Sequence, residues 1–433
     1  MTTLNYKAYQ IAMTTQNTRL ENLQINGLTH DGRGVGHFEG KTIFVNDATP
    51  GDIVTANITK HHDNFDDADC LELKSASPER TQPFCPIYSQ CGGCQLQHLS
   101  LDAQRYWKNQ NFITQLTQSV DAQQCQTVSP IIGDDKHYRR RTRLSYVISK
   151  KDKVARLGFK AKASNEVVDM NECPILTPAL NQAIQDNKPT LLSQASRAQK
   201  EVTLVEADNG IFGLPLTEES NAQGDTPYYT LNTPSPTPLK IEFPVDGFIQ
   251  INQSLNQQMI AQALDWLTLN QHHNVLDLFC GVGNFTLPIA QQVHSTVGIE
   301  GEQNLVDTAT HNAQHNALDS VSFYKGDLFK EVTPKPWFKK QTYDRILLDP
   351  GRQGAFNLCK VLGKLKAHII VYVSCNAATL IRDIKELEKQ GYRLTKASMI
   401  DMFAHTTHTE VMVQLTRTHK SLKKPKSKPT FKI

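Results

Sequence analysis

The chain has 433 residues, 39% hydrophobic and 21% charged, with 23 Gly and 20 Pro spread along it, which excludes a wholly disordered or fibrous protein. At this length one core gives way to roughly two to three domains. A formal net charge of +3 permits nucleic-acid binding without arguing for it, because a protein of this size needs local basic clusters rather than a global excess.

Met1 to Gln16 shows no cationic segment followed by an apolar core, and no later apolar run reaches membrane-spanning length. The expectation is a cytoplasmic protein with no membrane contact. Nine cysteines without a secretion signal point to reduced thiols, metal ligands or a catalytic thiol rather than a disulfide framework.

From about Thr18 to Leu73 apolar and polar residues alternate, with turn signals at Asp31-Gly32, Glu39-Gly40 and Pro50-Gly51-Asp52. This predicts a small all-β unit; a barrel of that size either binds oligonucleotides or only packs on its neighbour. A cysteine-rich stretch, Cys85 to Cys94, precedes an amphipathic helix from about Asp102 to Val120. From Tyr138 to about Glu206 β-rich runs return, and the Pro/Thr/Ser stretch Thr233 to Leu239 reads as a domain linker or an exposed loop. Beyond Gln257 a helix around Met259 to Leu267 is followed by apolar runs at Val275–Phe279, Val297–Ile299, Arg345–Leu348 and Ile369–Val373, alternating with helical patterns. That alternation predicts an α/β domain with a mostly parallel, doubly wound sheet. The tail after His419 carries Lys420, Lys423, Lys424, Lys426, Lys428 and Lys432 with no acid and reads as a solvated end rather than an RNA contact.

The run Val275-Leu-Asp-Leu-Phe-Cys-Gly-Val-Gly-Asn-Phe-Thr286 places a glycine-rich turn between a buried strand and a helix, where backbone N–H groups are free to meet a ligand. A dinucleotide fingerprint would want a third small residue where Thr286 stands, and Asp277 on the strand is atypical for it. The loop resembles the S-adenosylmethionine motif of Rossmann-like methyltransferases. Glu300 ends the next strand, where an acid can bind both ribose hydroxyls, and Asp327 sits where such enzymes hold the adenine edge.

Cys375, in Val371-Tyr-Val-Ser-Cys-Asn376, lies where an apolar strand gives way to a polar turn, the position of active sites in open α/β sheets. A thiolate there can add to C6 of a pyrimidine and make the unreactive C5 nucleophilic. The C5 proton must then leave, so a base is needed, and Glu410 in His405-Thr-Thr-His-Thr-Glu410 is the candidate. His405 and His408 are further proton acceptors or structural residues. Cys280 and Cys359 read as buried structural thiols.

Cys85, Cys91 and Cys94 form C-x5-C-x2-C, and Cys173, before Pro174, supplies a distant fourth thiolate. The set fits a [4Fe-4S] cluster better than zinc, whose structural sites pair two short knuckles. Four cysteines would close every iron, which suits a structural or RNA-positioning cluster.

Phe248-Ile-Gln-Ile-Asn252, Asp277-Leu-Phe-Cys-Gly-Val-Gly-Asn-Phe285, Leu348-Asp-Pro-Gly-Arg352, Ser374-Cys-Asn376 and Met402-Phe-Ala-His405 through Glu410, in this order, resemble the RNA uracil-C5 methyltransferase family. Gly351 stands where alanine is usual and Ala404 where proline is usual, both beside the reacting groups. The resemblance implies that Gln250, Phe279, Asn284, Glu300, Asp327 and Asp349 line the cofactor and target pocket, with Cys375 as nucleophile and Glu410 as base. The Cys-Gly-Gly-Cys turn with Gln95 and His98 is similar to the family's iron–sulfur branch, and the N-terminal β unit to its TRAM domain. By that resemblance the substrate is a uridine of 23S ribosomal RNA and the cofactors are S-adenosyl-L-methionine and a [4Fe-4S] cluster; the expected state is a monomer.

The implied organisation is an OB-like TRAM barrel over 14–74, a β-rich iron–sulfur domain over 75–96 and 129–240, the methyltransferase domain over 97–128 and 241–418, and the tail over 419–433. His137-Tyr-Arg-Arg-Arg-Thr-Arg143 is either a phosphate-gripping stripe or a solvated strand edge. Competing substrates are another rRNA uridine or tRNA. A non-catalytic RNA chaperone is disfavoured because binding alone has no need of a thiol at a strand end, and a radical methylthiotransferase because its C-x3-C-x2-C triad is missing.

Overall fold

The N-terminal alternation folds into a closed five-stranded barrel, with β1 Arg19–Leu28, β2 Gly34–Phe38, β3 Lys41–Asn46, β4 Ile53–His61 and β5 Phe65–Ser75 in the order β1-β2-β3-β5-β4. In this computed structural model the residues described are 18–213, 226–339 and 341–418, so the lysine-rich tail lies outside them. The barrel core is Leu20, Leu23, Ile25, Ile43, Val45, Ala48, Val54, Ala56, Ile58 and Ala68, all buried. Closure leaves no free sheet edge.

The chain divides into two units. The first holds the barrel, the segment 94–111 and residues 405–407. Arg80 grips the buried Asp52 carboxylate with Nε at 2.8 Å and Nη2 at 2.6 Å, a bidentate, charge-assisted pair. Leu96, Leu99 and Ala103 pack with Leu28, and the amides of Gln95 and Leu96 both donate to the carbonyl of His405 at 3.0 Å.

The second unit holds residues 90–93, 112–404 and the described residues from 408 on. Its first layer is a five-stranded antiparallel sheet, order β11-β10-β7-β8-β9, of β7 Arg141–Ile148, β8 Ala155–Lys160, β9 Val167–Asp169, β10 Lys200–Ala207 and β11 Gly210–Phe212. A two-stranded pair follows, β12 Tyr228–Leu231 with β13 Leu239–Glu242, and Thr233 to Leu239 is its connection rather than a domain linker.

The main sheet has eight strands in the order β16-β15-β14-β17-β18-β20-β19-β6, where β6 is Gln126–Thr127, β14 Asn274–Leu278, β15 Ser295–Glu300, β16 Val321–Lys325, β17 Arg345–Leu348, β18 Ile369–Ser374, β19 Tyr392–Ile400 and β20 Glu410–Arg417. β14 to β18 run parallel and β20 antiparallel to β18. Neighbouring residues supply opposite faces: Leu276, Leu278, Ile346, Leu348, Ile370 and Tyr372 belong to one core, Val275, Leu347, Val371 and Val373 to the other. Burial on both faces explains why these strands read as unbroken apolar runs. The helix read as Met259 to Leu267 begins earlier, at Gln253, because Asn252 caps it by accepting from the Leu255 amide at 3.1 Å.

Candidate active site

Strand order reverses between β14, whose next strand in the chain lies on one side, and β17, which lies on the other, and ligands of such sheets bind at the carboxyl ends of the strands there. Those ends carry Phe279, Glu300, Asp349 and Cys375. β20 runs the opposite way, with Val411 paired to Ser374, so its first residue, Glu410, comes to the same edge.

The turn after β14 is held by left-handed backbone at Phe279 (φ 67°), Gly281 (φ 54°) and Gly283 (φ 97°). Phe279 is not a glycine, so its conformation is maintained by the amides of Phe279 and Cys280, which donate to the Ile299 carbonyl at 2.9 and 3.1 Å. The Glu300 carboxylate accepts from the amides of Gly281 at 3.0 Å and Gly301 at 2.6 Å. A side chain at Gly281, Gly301 or Gly351 would meet nothing within 4 Å, so open space faces this edge at all three. Beneath it Asp277 is buried; Thr286 Oγ1 donates to its Oδ2 at 2.5 Å while Oδ1 has no hydrogen-bond partner among the described residues. Burial pushes its carboxyl up to about 8.

Asn284 closes the loop with its amide turned to Asn256, the two exchanging hydrogen bonds at 2.9 and 3.0 Å, and its oxygen also accepts from the Tyr229 hydroxyl at 2.9 Å. Gln250 is buried, and its carbonyl accepts from Arg140 Nε at 3.0 Å. Asp327 follows β16 in an exposed turn, where Lys330 at 3.0 Å and the Phe329 amide hold its carboxyl below the usual range.

At the reacting edge Glu410 is buried, and burial with the neighbouring Asp349 charge holds its carboxyl well above the ordinary range. Burial also lifts Asp349, to about 7. The Cys375 thiol is pushed up to about 11 by burial and by the Glu410 and Asp349 carboxylates, with Arg352 opposing. The Asn376 carbonyl oxygen of the side chain accepts from the Ala378 amide at 3.1 Å and its Nδ2 donates to the Arg352 carbonyl at 3.2 Å, fixing the turn beside Cys375. His408 is exposed, 3.4 Å from Arg352 Nη2. His405 belongs to the first unit, buried against Phe84, with Gln104 bonded to both its amide (3.0 Å) and its Nδ1 (3.2 Å).

Burial sorts the arginine run. Arg140 is 3% exposed and lies over the Tyr229 ring at 4.6 Å, while Arg143 stands in solvent beside Glu201. Tyr229, Asn256 and Arg140 carried no sequence signal of a role here; each acts through a partner distant in sequence. Among the cysteines, Cys280 and Cys359 are buried. Cys85 and Cys94 fall in the first unit, Cys91 and Cys173 in the second.

Sheet order, loop and edge define a Rossmann-like methyltransferase. Its fold is similar to the crystal structure of Pyrococcus abyssi tRNA (uracil-54, C5)-methyltransferase in complex with S-adenosyl-L-homocysteine, with TM-score 0.68 and 22% identity over 92% of this chain and 100% of that one. Residues 237–418 match the family described as tRNA (Uracil-5-)-methyltransferase and residues 17–71 match the TRAM domain. The chain is 39% identical over 427 residues to 23S rRNA (uracil(1939)-C(5))-methyltransferase RlmD of Shewanella piezotolerans, covering 90% of this chain and 94% of that protein. It is 37% identical to the protein of the same name from Vibrio cholerae serotype O1, covering 92% and 96%. The chain belongs to the RNA uracil-C5 methyltransferase family. No helix among the described residues is long and apolar enough to cross a membrane.

Proposed function

We propose that the protein transfers the methyl group of S-adenosyl-L-methionine to C5 of uridine 1939 in 23S ribosomal RNA, the reaction named for its relatives of 36–39% identity. The observation that carries the reading is the meeting of Cys375, Asp349 and Glu410 at the carboxyl edge beside the glycine loop. The open faces of Gly281, Gly301 and Gly351 and the Glu300 acid at the strand end suit the cofactor, with Gln250, Phe279, Asn284, Asp327 and Asp349 completing the pocket. When bound, S-adenosylmethionine supplies an electrophilic methyl group. The Cys375 thiolate adds to C6 of the uracil, and the electron pair displaced from the C5–C6 bond makes C5 the nucleophile that takes the methyl. Glu410 removes the C5 proton; the C5–H electrons re-form the double bond and expel the Cys375 thiolate. Burial and the neighbouring Asp349 charge raise this carboxyl above the ordinary range, which makes its ionised form a stronger base for that step.

The uridine must leave its stack to reach Cys375, at a cost of a few kcal/mol. Residues 14–74 hold RNA in this reading, 75–96 and 129–240 carry the cluster, and 97–128 and 241–418 carry the chemistry. Cys85, Cys91, Cys94 and Cys173 bind a [4Fe-4S] cluster. In support, Cys91 and Cys94 are buried, the Gly93 amide donates to Cys91 Sγ at 3.4 Å, and Asn181 is bonded to the Cys173 amide (2.9 Å) and carbonyl (3.0 Å). A monomer acting in the cytoplasm completes the reading.

The test is methyl transfer from labelled S-adenosylmethionine to 23S rRNA of an unmodified strain. Wild type labels one uridine, Cys375→Ala labels none, and Glu410→Gln accumulates a covalent RNA adduct. Labelling of tRNA instead would remove the substrate assignment and leave the chemistry; no labelling of either would remove both.

A further inference from the structure

In the same unit, the end of one helix and one strand of the β12–β13 pair bring three metal-ligating side chains together. His311 and His315 are four residues apart on the helix Gln303–His315 and so share one face. Glu242 ends β13. One ring nitrogen of each histidine and one carboxylate oxygen of Glu242 lie within 4.8 Å of one another, and His311 Nε2 is 3.1 Å from Glu242 Oε2. We propose that Glu242, His311 and His315 form a binding site for a divalent transition-metal ion, zinc by its ligand chemistry, separate from the methyl-transfer edge.

The scaffold beneath these side chains is preorganised. Asn312 donates through Nδ2 to the Glu242 carbonyl at 2.9 Å and accepts the Glu242 amide through Oδ1 at 2.9 Å. Asn316 does the same one turn later, with the Lys240 carbonyl at 2.7 Å and the Lys240 amide at 2.9 Å. Two asparagine side chains therefore take the place of a neighbouring strand along β13 and set its register against the helix. That register brings Glu242 beside His311. Lys240 Nζ holds the other carboxylate oxygen, Oε1, at 3.0 Å, which leaves Oε2 turned to the His311 imidazole. An outer partner that orients a ligating carboxylate in this way is a common feature of metal sites.

Two imidazoles and a carboxylate match zinc and its neighbours in ligand type, and hard cations poorly. Around tetrahedral zinc, ligand atoms sit about 3.4 Å apart, so closing the site asks for roughly 1 Å of side-chain movement. The His311 side chain is 58% exposed and free to make it. A dication at the last turn of a helix also meets the negative end of its dipole. Bound there, the ion would staple β13 to the helix that starts just after Glu300.

The experiment titrates zinc chloride into the full-length protein, with its cysteine sites as purified, in chelator-free buffer, following heat and Tm. Wild type, Glu242→Gln, His311→Gln and His315→Gln are compared. Wild type is expected to show one zinc site whose affinity falls at least tenfold in each histidine variant and less in Glu242→Gln. Zinc should raise the Tm of wild type and not of the histidine variants, as a ligand of the folded state alone does. Affinity should fall on acidification, because imidazoles ligate only when neutral. Without zinc, the histidine variants should melt and methylate like wild type, which shows that they fold. Equal zinc affinity in wild type and both histidine variants would assign the metal elsewhere, to thiols first, and overturn the site; so would the lack of any binding tighter than about 1 mM, a weak association of about 4 kcal/mol.

Discussion

Asn256 and Asn284 exchange their side-chain amides, so the glycine loop is bolted to the helix that follows the Phe248–Asn252 segment. Asn256 is fully buried. Removing it leaves Asn284 with an unmet donor in a closed environment, where an orphaned polar group costs about 1–3 kcal/mol. Asn256→Leu should therefore lower Tm and weaken S-adenosylmethionine binding, read by melting and by calorimetric titration. Binding and melting both equal to wild type would mean that the loop is held by the Tyr229 hydroxyl alone.

With the Cys375 thiol pushed up to about 11, its nucleophilic form, the thiolate, is scarce at neutral pH. Peptide-resolved alkylation of Cys375 by iodoacetamide in the RNA-free protein should accelerate close to tenfold per pH unit between about pH 8 and 10, as the thiolate fraction grows below that value. A rate that is flat across this range would show an ionised thiolate already in place and remove the like-charge effect of Glu410 and Asp349.

Much of this site is legible in the sequence because its parts are local. β14, β15, β17 and β18 are buried on both faces and appear as apolar runs, and each functional end follows its run directly, as Glu300, Asp349 and Cys375 do. What escapes a linear reading are side chains whose partners are remote. Arg140 serves Gln250 across 110 residues, Asn284 depends on Asn256 and Tyr229, and His405 is pinned by Gln104 across 301. An arginine run gives no sign of which member the pleat turns inward until the register of β7 is known. The start of the Gln253–Leu267 helix was likewise hidden, because its first turn carries polar residues and only the Asn252 cap marks it.

Asp277 makes a pH-dependent contribution that a single substitution can isolate. Its folded value, about 8, lies above the roughly 3.9 of an unfolded aspartate. A carboxyl raised on folding favours the native state fully below the unfolded value, and that contribution is lost progressively as pH rises through about 4 to 8. Asp277→Asn keeps an oxygen to accept from Thr286 and carries no charge to desolvate. Its Tm relative to wild type should rise between pH 5 and pH 8.5. A constant difference across that range would mean that Asp277 stays charged when buried, with a partner that offsets the cost.

Arg140 and Arg143 sit three residues apart and should fail in different ways. The Arg140 guanidinium is buried over Tyr229, holds the Gln250 carbonyl at 3.0 Å, and its Nη1 and Nη2 have no hydrogen-bond partner among the described residues. Arg140→Ala removes that brace and leaves a cavity, a loss of about 2–4 kcal/mol that lowers Tm with or without RNA. Arg143 has a side chain 58% exposed and a Glu201 partner at 3.8 Å, too solvated to support the fold appreciably. If it grips a phosphate, Arg143→Ala should melt like wild type, bind an rRNA fragment more weakly, and flatten the dependence of log affinity on log salt by about one unit. RNA affinity and salt slope both unchanged in Arg143→Ala would return this strand edge to plain solvation.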